Sequence, residues 1–305
     1  MDLFEKKGIK PMLIGLQKEP FDDEDYIFEL KLDGVRCIAY LEPAGTELRN
    51  KRDLRLLPKV PELSGIHKHV KGTCILDGEL SVIRNGRTDF YEIQKRVMTT
   101  NQTKIRLAAL RHPACFTAFD ILYLDGKETN MLPLMERKQL LKSVVLREDE
   151  RFAVTRYIEG RGTALFDLTG ERRLEGIVAK KKDSKYFFDK RTKDWIKIKN
   201  MVEEDLVVCG FIYKLNHMIS LVLGKWDDGV LHYEGHVTLG VSAAVVEQLE
   251  SYVCSACPFG QSVPKGNENA VWLKPEVICT VEYMADEGEG RRHMVFRGIR
   301  QGMLE

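Results

Sequence analysis

Apolar and polar residues alternate over Tyr26, Phe28 and Leu30, so this stretch reads as a half-buried strand that Asp33-Gly34 ends with a turn. Residues 26–41 and 73–84 carry strand patterning, and Arg49-Asn50-Lys51-Arg52-Asp53 reads as a polar turn between them. Two helices are expected from Asp89 to Met98 and from Thr103 to Arg111, each opening on a residue able to cap. The run from Cys115 to Leu124 predicts a strand closed by Asp125-Gly126. An amphipathic helix rich in Lys and Arg follows from Leu134 to Val145. Another, from Gly162 to Arg173, delivers the chain into a strand over Gly176 to Lys180.

Near Asn200 the pattern changes. Short β-type runs follow at Asp205 to Tyr213, Met218 to Lys225, Val230 to Val237, Val277 to Tyr283 and Met294 to Ile299. A single helix is expected among them, from Ala243 to Tyr252. Five short strands with one intervening helix fit a small β-barrel of the OB type. At 305 residues and 44% hydrophobic the chain can bury sizeable cores. Two domains are expected, 1–200 and 201–305, with a short hinge within Asn200 to Glu204.

Met1 to Lys7 lacks the apolar stretch of a signal peptide, and no run approaches membrane-spanning length, so a cytoplasmic location without membrane contact is expected. The cysteine count, seven, is odd, and no disulfide-framework spacing is present. Cys254-Ser-Ala-Cys257 has no second metal-ligand pair after it, so reduced thiols are expected, not zinc. A net charge of +1 does not point to a polyanion, but the distribution does: residues 180–199 carry nine Lys/Arg against three Asp, interleaved with Tyr186, Phe187, Phe188 and Trp195. This points to nucleotide or nucleic-acid contact, with Lys181, Lys182 and Lys190 as candidate DNA-phosphate ligands.

Chemistry-bearing residues cluster at five places. Glu29-Leu-Lys31-Leu-Asp33-Gly34-Val-Arg36 sets a lysine at a strand end. Held rigidly beside cations, such a lysine gives up its proton more readily and can act as a nucleophile. Leu76-Asp77-Gly78-Glu79-Leu80 puts two acids on one strand face, able to approach a ribose or a divalent metal. Phe116-Thr-Ala-Phe119-Asp120 combines an aromatic with an acid, and Glu175-Gly176-Ile177-Val178-Ala179-Lys180 repeats the acid–strand–lysine theme. In Trp195-Ile-Lys197-Ile-Lys199 both lysines share one face.

These five clusters in this order resemble the motifs of the covalent nucleotidyltransferases, and specifically ATP-dependent DNA ligases. Trp272-Leu-Lys-Pro-Glu276 and Arg292 through Arg300 look most like compact bacterial ligases related to the ligase module of end-joining repair enzymes. The resemblance implies an α+β adenylation domain of antiparallel sheets with flanking helices, followed by an OB-fold domain. It implies a three-step reaction in which Lys31 takes AMP from ATP, AMP passes to a DNA 5′-phosphate, and a 3′-OH displaces it. By the same resemblance Glu29 reads the adenine amino edge, and Phe119 stacks on the base. Arg36 and Arg49, the latter with Arg52 as its alternative, contact the ribose and phosphates of the nucleotide or the nick, while Lys180, Lys197 and Lys199 converge on the nucleotide. Glu79, Glu175 and Asp77 lie near Mg2+ or Mn2+, with Asp77 alternatively orienting Arg36.

The last motif departs from the family. Its closing arginine is normally followed by an acid and a lysine, whereas here Gln301-Gly302-Met303 follows, leaving Arg297 and Arg300 as candidates to orient the pyrophosphate. Thirty residues precede Lys31, too few for an NMN-binding domain, so ATP and not NAD+ is the expected AMP donor. The implied partners are nicked double-stranded DNA and an end-binding repair protein, the enzyme acting as a monomer. Competing readings are an RNA ligase or capping guanylyltransferase of the same superfamily, and a catalytically silent OB-containing DNA-binding module.

Overall fold

The computed structural model describes residues 2–84, 86–215, 218–260, 263–285 and 291–300. The chain divides into two compact units, Met1–Asn200 and Met201–Glu305. Among the described residues no helix is long and apolar enough to cross a membrane.

The first unit is built on two sheets. One runs in the order Leu13–Gln17, Arg191–Lys199, Gly176–Lys181, Asp23–Leu30, Tyr157–Gly160, antiparallel except for the parallel pairing of its first two strands. The other runs Gly45–Asn50, Val35–Glu42, Cys74–Arg84, Ala114–Leu124, Lys127–Glu128, with Phe152–Val154 added in parallel to Ala114–Leu124. Period-two alternation explains the packing. Ile38 and Tyr40 turn to a core shared with Met12, Ile27, Tyr186 and Trp195 of the first sheet's side, while Cys37, Ala39 and Leu41 turn to the opposite face. That opposite face is covered by Ile93 from helix Phe90–Met98 and by Leu141 and Val144 from helix Leu134–Val144. Helix Gly162–Glu171 covers the outer face of the first sheet, where Leu165 and Phe166 pack on Phe28, Ile177, Ala179 and Ile198. Each such fully buried aliphatic or aromatic side chain contributes about 1.5–3 kcal/mol.

The strand-patterned stretch 26–41 divides near the turn expected at Asp33-Gly34, and its two strands lie in different sheets. Asp23–Leu30 belongs to the first and Val35–Glu42 to the second, so Lys31 to Gly34 form the crossing between them. Gly34 makes the crossing feasible, because a Cβ there would meet the Leu80 carbonyl oxygen at 2.2 Å. Asp89 and Asn101 cap helices Phe90–Met98 and Gln102–Arg111 by accepting from Glu92 N and Lys104 N. Arg49 and Asn50, expected in a turn, end strand Gly45–Asn50 instead, and the turn begins at Lys51. Leu13–Gln17 and Tyr157–Gly160 lacked a usable alternation because both are exposed sheet edges.

The second unit is one antiparallel five-stranded sheet, ordered Val230–Val237, Ile219–Asp227, Val202–Tyr213, Val271–Ala285, Arg291–Ile299. A bridge between Leu239 and Val295 draws its two edge strands together, curling the sheet into a partial barrel. Val208, Leu221, Leu223, Leu273, Cys279 and Phe296 fill the inside, and helix Ala243–Leu249 closes it with Val246 and Leu249. This is the expected OB-type plan of five strands and one helix.

Candidate active site

Lys31 follows the last residue of strand Asp23–Leu30, and its backbone N–H donates to the Gly176 carbonyl at 2.9 Å. Gly176 sits at φ +131°, and a Cβ there would meet the Ile198 carbonyl oxygen at 2.1 Å, so only glycine lets the three strands close at this point. The Lys31 ammonium donates to Glu175 Oε2 at 2.6 Å, and Lys199 Nζ lies 3.1 Å from the other oxygen of the same carboxylate. Lys197 projects from the same strand face as Lys199. Burial lowers its pKa, and the charges of Lys199 and Lys31 lower it further.

A pocket opens beside Lys31, lined among others by Glu29, Arg36, Glu79, Phe119, Lys180 and Trp195. Strand pairing sets Arg36 opposite Glu79 and Glu29 opposite Val178. Glu29, only 2% exposed, accepts from Lys180 at 2.7 Å and from Lys138. Burial alone would raise the Glu29 carboxyl, but the two ammoniums outweigh it and hold it below the usual range. Burial pushes Lys180 down to about 8 against the pull of Glu29. Its Nζ lies 4.4 Å from the Phe119 ring centre and 4.1 Å from that of Trp195, and the Arg36 guanidinium lies 4.9 Å from Phe119.

Asp77 is not open to a metal. It is fully buried, and its oxygens accept from Arg36 Nε at 2.8 Å, Arg36 Nη2 at 2.5 Å and the Tyr186 hydroxyl at 2.6 Å. The alternative role, orienting Arg36, is the one its geometry serves. Burial would lower the Arg36 pKa, yet the Asp77 carboxylate raises it. Glu79 is different: it lines the pocket, and burial pushes its carboxyl up to about 8, with Lys31 and Arg36 opposing and Glu175 and Asp77 adding. A divalent cation would relieve that destabilised charge. Among the described residues no three His, Cys, Asp or Glu are grouped to hold a metal unaided, so Glu79 fits one whose other ligands are nucleotide oxygens and water, whereas both oxygens of Glu175 are engaged by Lys31 and Lys199.

Other expected residues lie elsewhere. Arg49 is held by Glu47 at 2.5 Å and Asp53 at 2.6 Å and is not part of the pocket wall. Lys181 follows Lys180 on the strand and so faces away from the pocket, 3.5 Å from Asp183. Lys182 pairs with Glu159 at 2.5 Å, and Lys190 is exposed. The aromatics of this basic segment are not stacking platforms: Tyr186 and Trp195 are fully buried, and Phe187 and Phe188 pack against the same core. In the second unit Arg297 pairs with Glu282 and Arg300 with Asp205. The residues 301–303 that break the final motif lie outside the described ones.

Two site residues escaped the motif reading. Tyr186 carries no spacing signal. Lys138 does: Leu134, Arg137, Lys138 and Leu141 form the buried stripe of one helix, and charges on such a stripe require buried acids. Arg137 finds Asp120, with both side chains fully buried, and Lys138 finds Glu29.

A two-sheet unit with a pocket beside a strand-end lysine, followed by an OB-type partial barrel, has the architecture of the nucleotidyltransferase ligases. Residues 11–199 match the ATP dependent DNA ligase domain and residues 215–302 the ATP dependent DNA ligase C terminal region. The chain belongs to the ATP-dependent DNA ligase family. It is 34% identical to the SPbeta prophage-derived DNA ligase-like protein LigB of Bacillus subtilis, over 93% of this chain and 95% of that protein. It is 28% identical to DNA ligase C of Mycobacterium tuberculosis, covering 88% of this chain and 84% of that protein. The multifunctional non-homologous end joining protein LigD of Pseudomonas aeruginosa is 28% identical over 96% of the chain, but the match spans only 35% of that longer protein. A solved structure of mycobacterial DNA ligase D complexed with ATP and MES shares the fold, with a TM-score of 0.59 at 24% identity over 98% of this chain and 96% of that one.

Proposed function

We propose that this ATP-dependent DNA ligase seals 3′-OH/5′-phosphate nicks through an AMP adduct on Lys31. The observation that carries the assignment is the placement of Lys31 beside one pocket with Glu29, Arg36, Glu79, Phe119 and Lys180. In this reading Glu175, hydrogen-bonded to Lys31, takes the ammonium proton, the freed amine attacks the α-phosphorus, and pyrophosphate leaves. Arg36, fixed by Asp77 and Tyr186, and the lysines 180, 197 and 199 offset the charge gathering on phosphate oxygens. Phe119 stacks on adenine, and Glu29 accepts its 6-amino group. Glu79 would hold Mg2+ or Mn2+, which would neutralise phosphate charge, and Glu175 would join it only if released from Lys31 and Lys199.

The finer roles follow the same reading. Arg300, or else Arg297, leaves its acid to face the pyrophosphate when the OB-type domain closes. Arg49, Lys181, Lys182 and Lys190 contact DNA phosphates, and the domain boundary falls at residue 200. The LigD relatives support a role in end-joining repair, and an end-binding partner, a monomeric state and a cytoplasmic location belong to the same proposal. The test is incubation with α-labelled ATP, then with a nicked duplex. Label on the protein that passes to DNA and is released on sealing supports the proposal, and sealing without a protein-bound AMP overturns it.

A further inference from the structure

Lys138 is a costly choice for its position. Helix Leu134–Val144 presents it on the stripe that also buries Leu134, Leu141 and Val144, where an aliphatic side chain would pack without desolvating a charge. Its Nζ donates to Glu29 Oε1 and lies 3.3 Å from the Thr155 hydroxyl, while Lys180 takes Glu29 Oε2. The carboxylate is therefore gripped from both ends, one ammonium per oxygen, in a wall of the nucleotide pocket. One cation would neutralise it. Two leave a net positive charge buried with it, and together they remove its freedom to rotate and oppose its protonation.

We infer that Lys138 is a positioning residue for base selectivity: it holds Glu29 ionised and aimed so that it accepts from the amino group of adenine. This rests on the reading of Glu29 as the base acceptor. An ionised carboxylate can only accept, so it pairs with a 6-amino group and meets the 6-oxo group of guanine acceptor to acceptor. A protonated Glu29 loses that distinction because it could donate to the 6-oxo oxygen, and a rotated one loses it because it no longer faces the 6-position. Lys138 does not touch the nucleotide and acts through Glu29 alone.

The experiment uses the full chain and measures kcat/KM for covalent nucleotidylation with ATP, GTP and purine riboside triphosphate, which lacks the 6-amino group. The readout is the ratio of ATP to each analogue. Lys138→Met should lower both ratios at least about tenfold, the worth of one hydrogen bond to a charged group, and Lys138→Arg should keep them within about threefold of wild type. Lys138→Gln, which retains a donor without the charge, serves if the Met variant does not fold and should also narrow the ratios. Equal loss for all three nucleotides, with the ratios unchanged in the Met or Gln variant, would show a purely structural lysine and overturn the inference. Glu29→Gln separates the two layers. If it keeps wild-type ratios, the reading of Glu29 fails and takes the inference with it. If it collapses them while Lys138→Met does not, the inference fails alone.

Discussion

Asp77→Asn separates a residue that orients Arg36 from one that binds metal. Asp77 is fully buried and accepts three hydrogen bonds, two from Arg36 and one from Tyr186. An amide in its place keeps the shape but removes the charge and turns one acceptor into a donor that faces donors. Breaking a buried ion pair by changing one partner costs about 3–5 kcal/mol. Arg36 retains 21% side-chain exposure, so its guanidinium can turn partly toward pocket water, and we expect a loss of about 2–3 kcal/mol. Tyr186→Phe removes one bond to a charged group and leaves the Met12 N–H without its 3.0 Å acceptor, costing about 1–2 kcal/mol. Because both changes act on one carboxylate, the double variant should lose less than the sum by about 1 kcal/mol. Urea unfolding gives these differences, and a Mg2+ titration of self-adenylation gives the metal requirement. The half-saturating Mg2+ concentration should stay at the wild-type value in Asp77→Asn even as the rate falls. Stability unchanged within about 0.5 kcal/mol, together with a raised Mg2+ requirement, would refute this assignment and return Asp77 to the metal.

Three further outcomes follow. Lys180 titrates near 8 in the folded chain against an ordinary 10.5, so between those values the unfolded chain binds more protons. This group therefore makes stability rise with pH from about 8 to 10.5, and urea unfolding over that window should rise less steeply for Lys180→Met; identical slopes would contradict it. Arg300→Ala should slow self-adenylation more than tenfold, about 1.4 kcal/mol in barrier, yet seal pre-adenylated nicks at nearly the wild-type rate. If Arg297→Ala shows that pattern instead, the role moves there, and normal adenylation by both variants removes the closing-arginine idea. Exchanging Lys181, Lys182 and Lys190 together should flatten the salt dependence of nick binding by about 0.9 per lost phosphate contact while sparing adenylation; equal loss of both activities would make the segment structural.

How much of this was legible beforehand depended on whether a residue's role is local. Strand alternation placed Lys197 and Lys199 on one face, and Asp89 marked the start of the helix at 90–98, whereas the helix expected from Thr103 is capped two residues earlier by Asn101. The five OB-type strands were visible for the same reason, since one face of each is buried. What failed was long-range. That Lys31 to Gly34 cross between sheets depends on Gly34 fitting under Leu80, a contact made 46 residues along the chain. Asp77 and Glu79 share a strand face and read alike, yet Tyr186, 109 residues away, makes one a buried acceptor and leaves the other in the pocket wall. The aromatics near 186–195 looked like a nucleic-acid platform because alternation cannot distinguish a ring turned to a ligand from one turned to the core.

If Lys31 carries AMP between ATP and DNA, the adduct is directly observable. Mass spectrometry of the intact protein after incubation with ATP and Mg2+ tests it most directly, followed by peptide mapping and by addition of a nicked duplex. One added AMP is expected, mapped to Lys31, lost on mixing with nicked DNA as the strand is sealed, and absent from Lys31→Ala, which should still seal a pre-adenylated nick. AMP on a different residue, or an adduct that persists undiminished in Lys31→Ala, would contradict it.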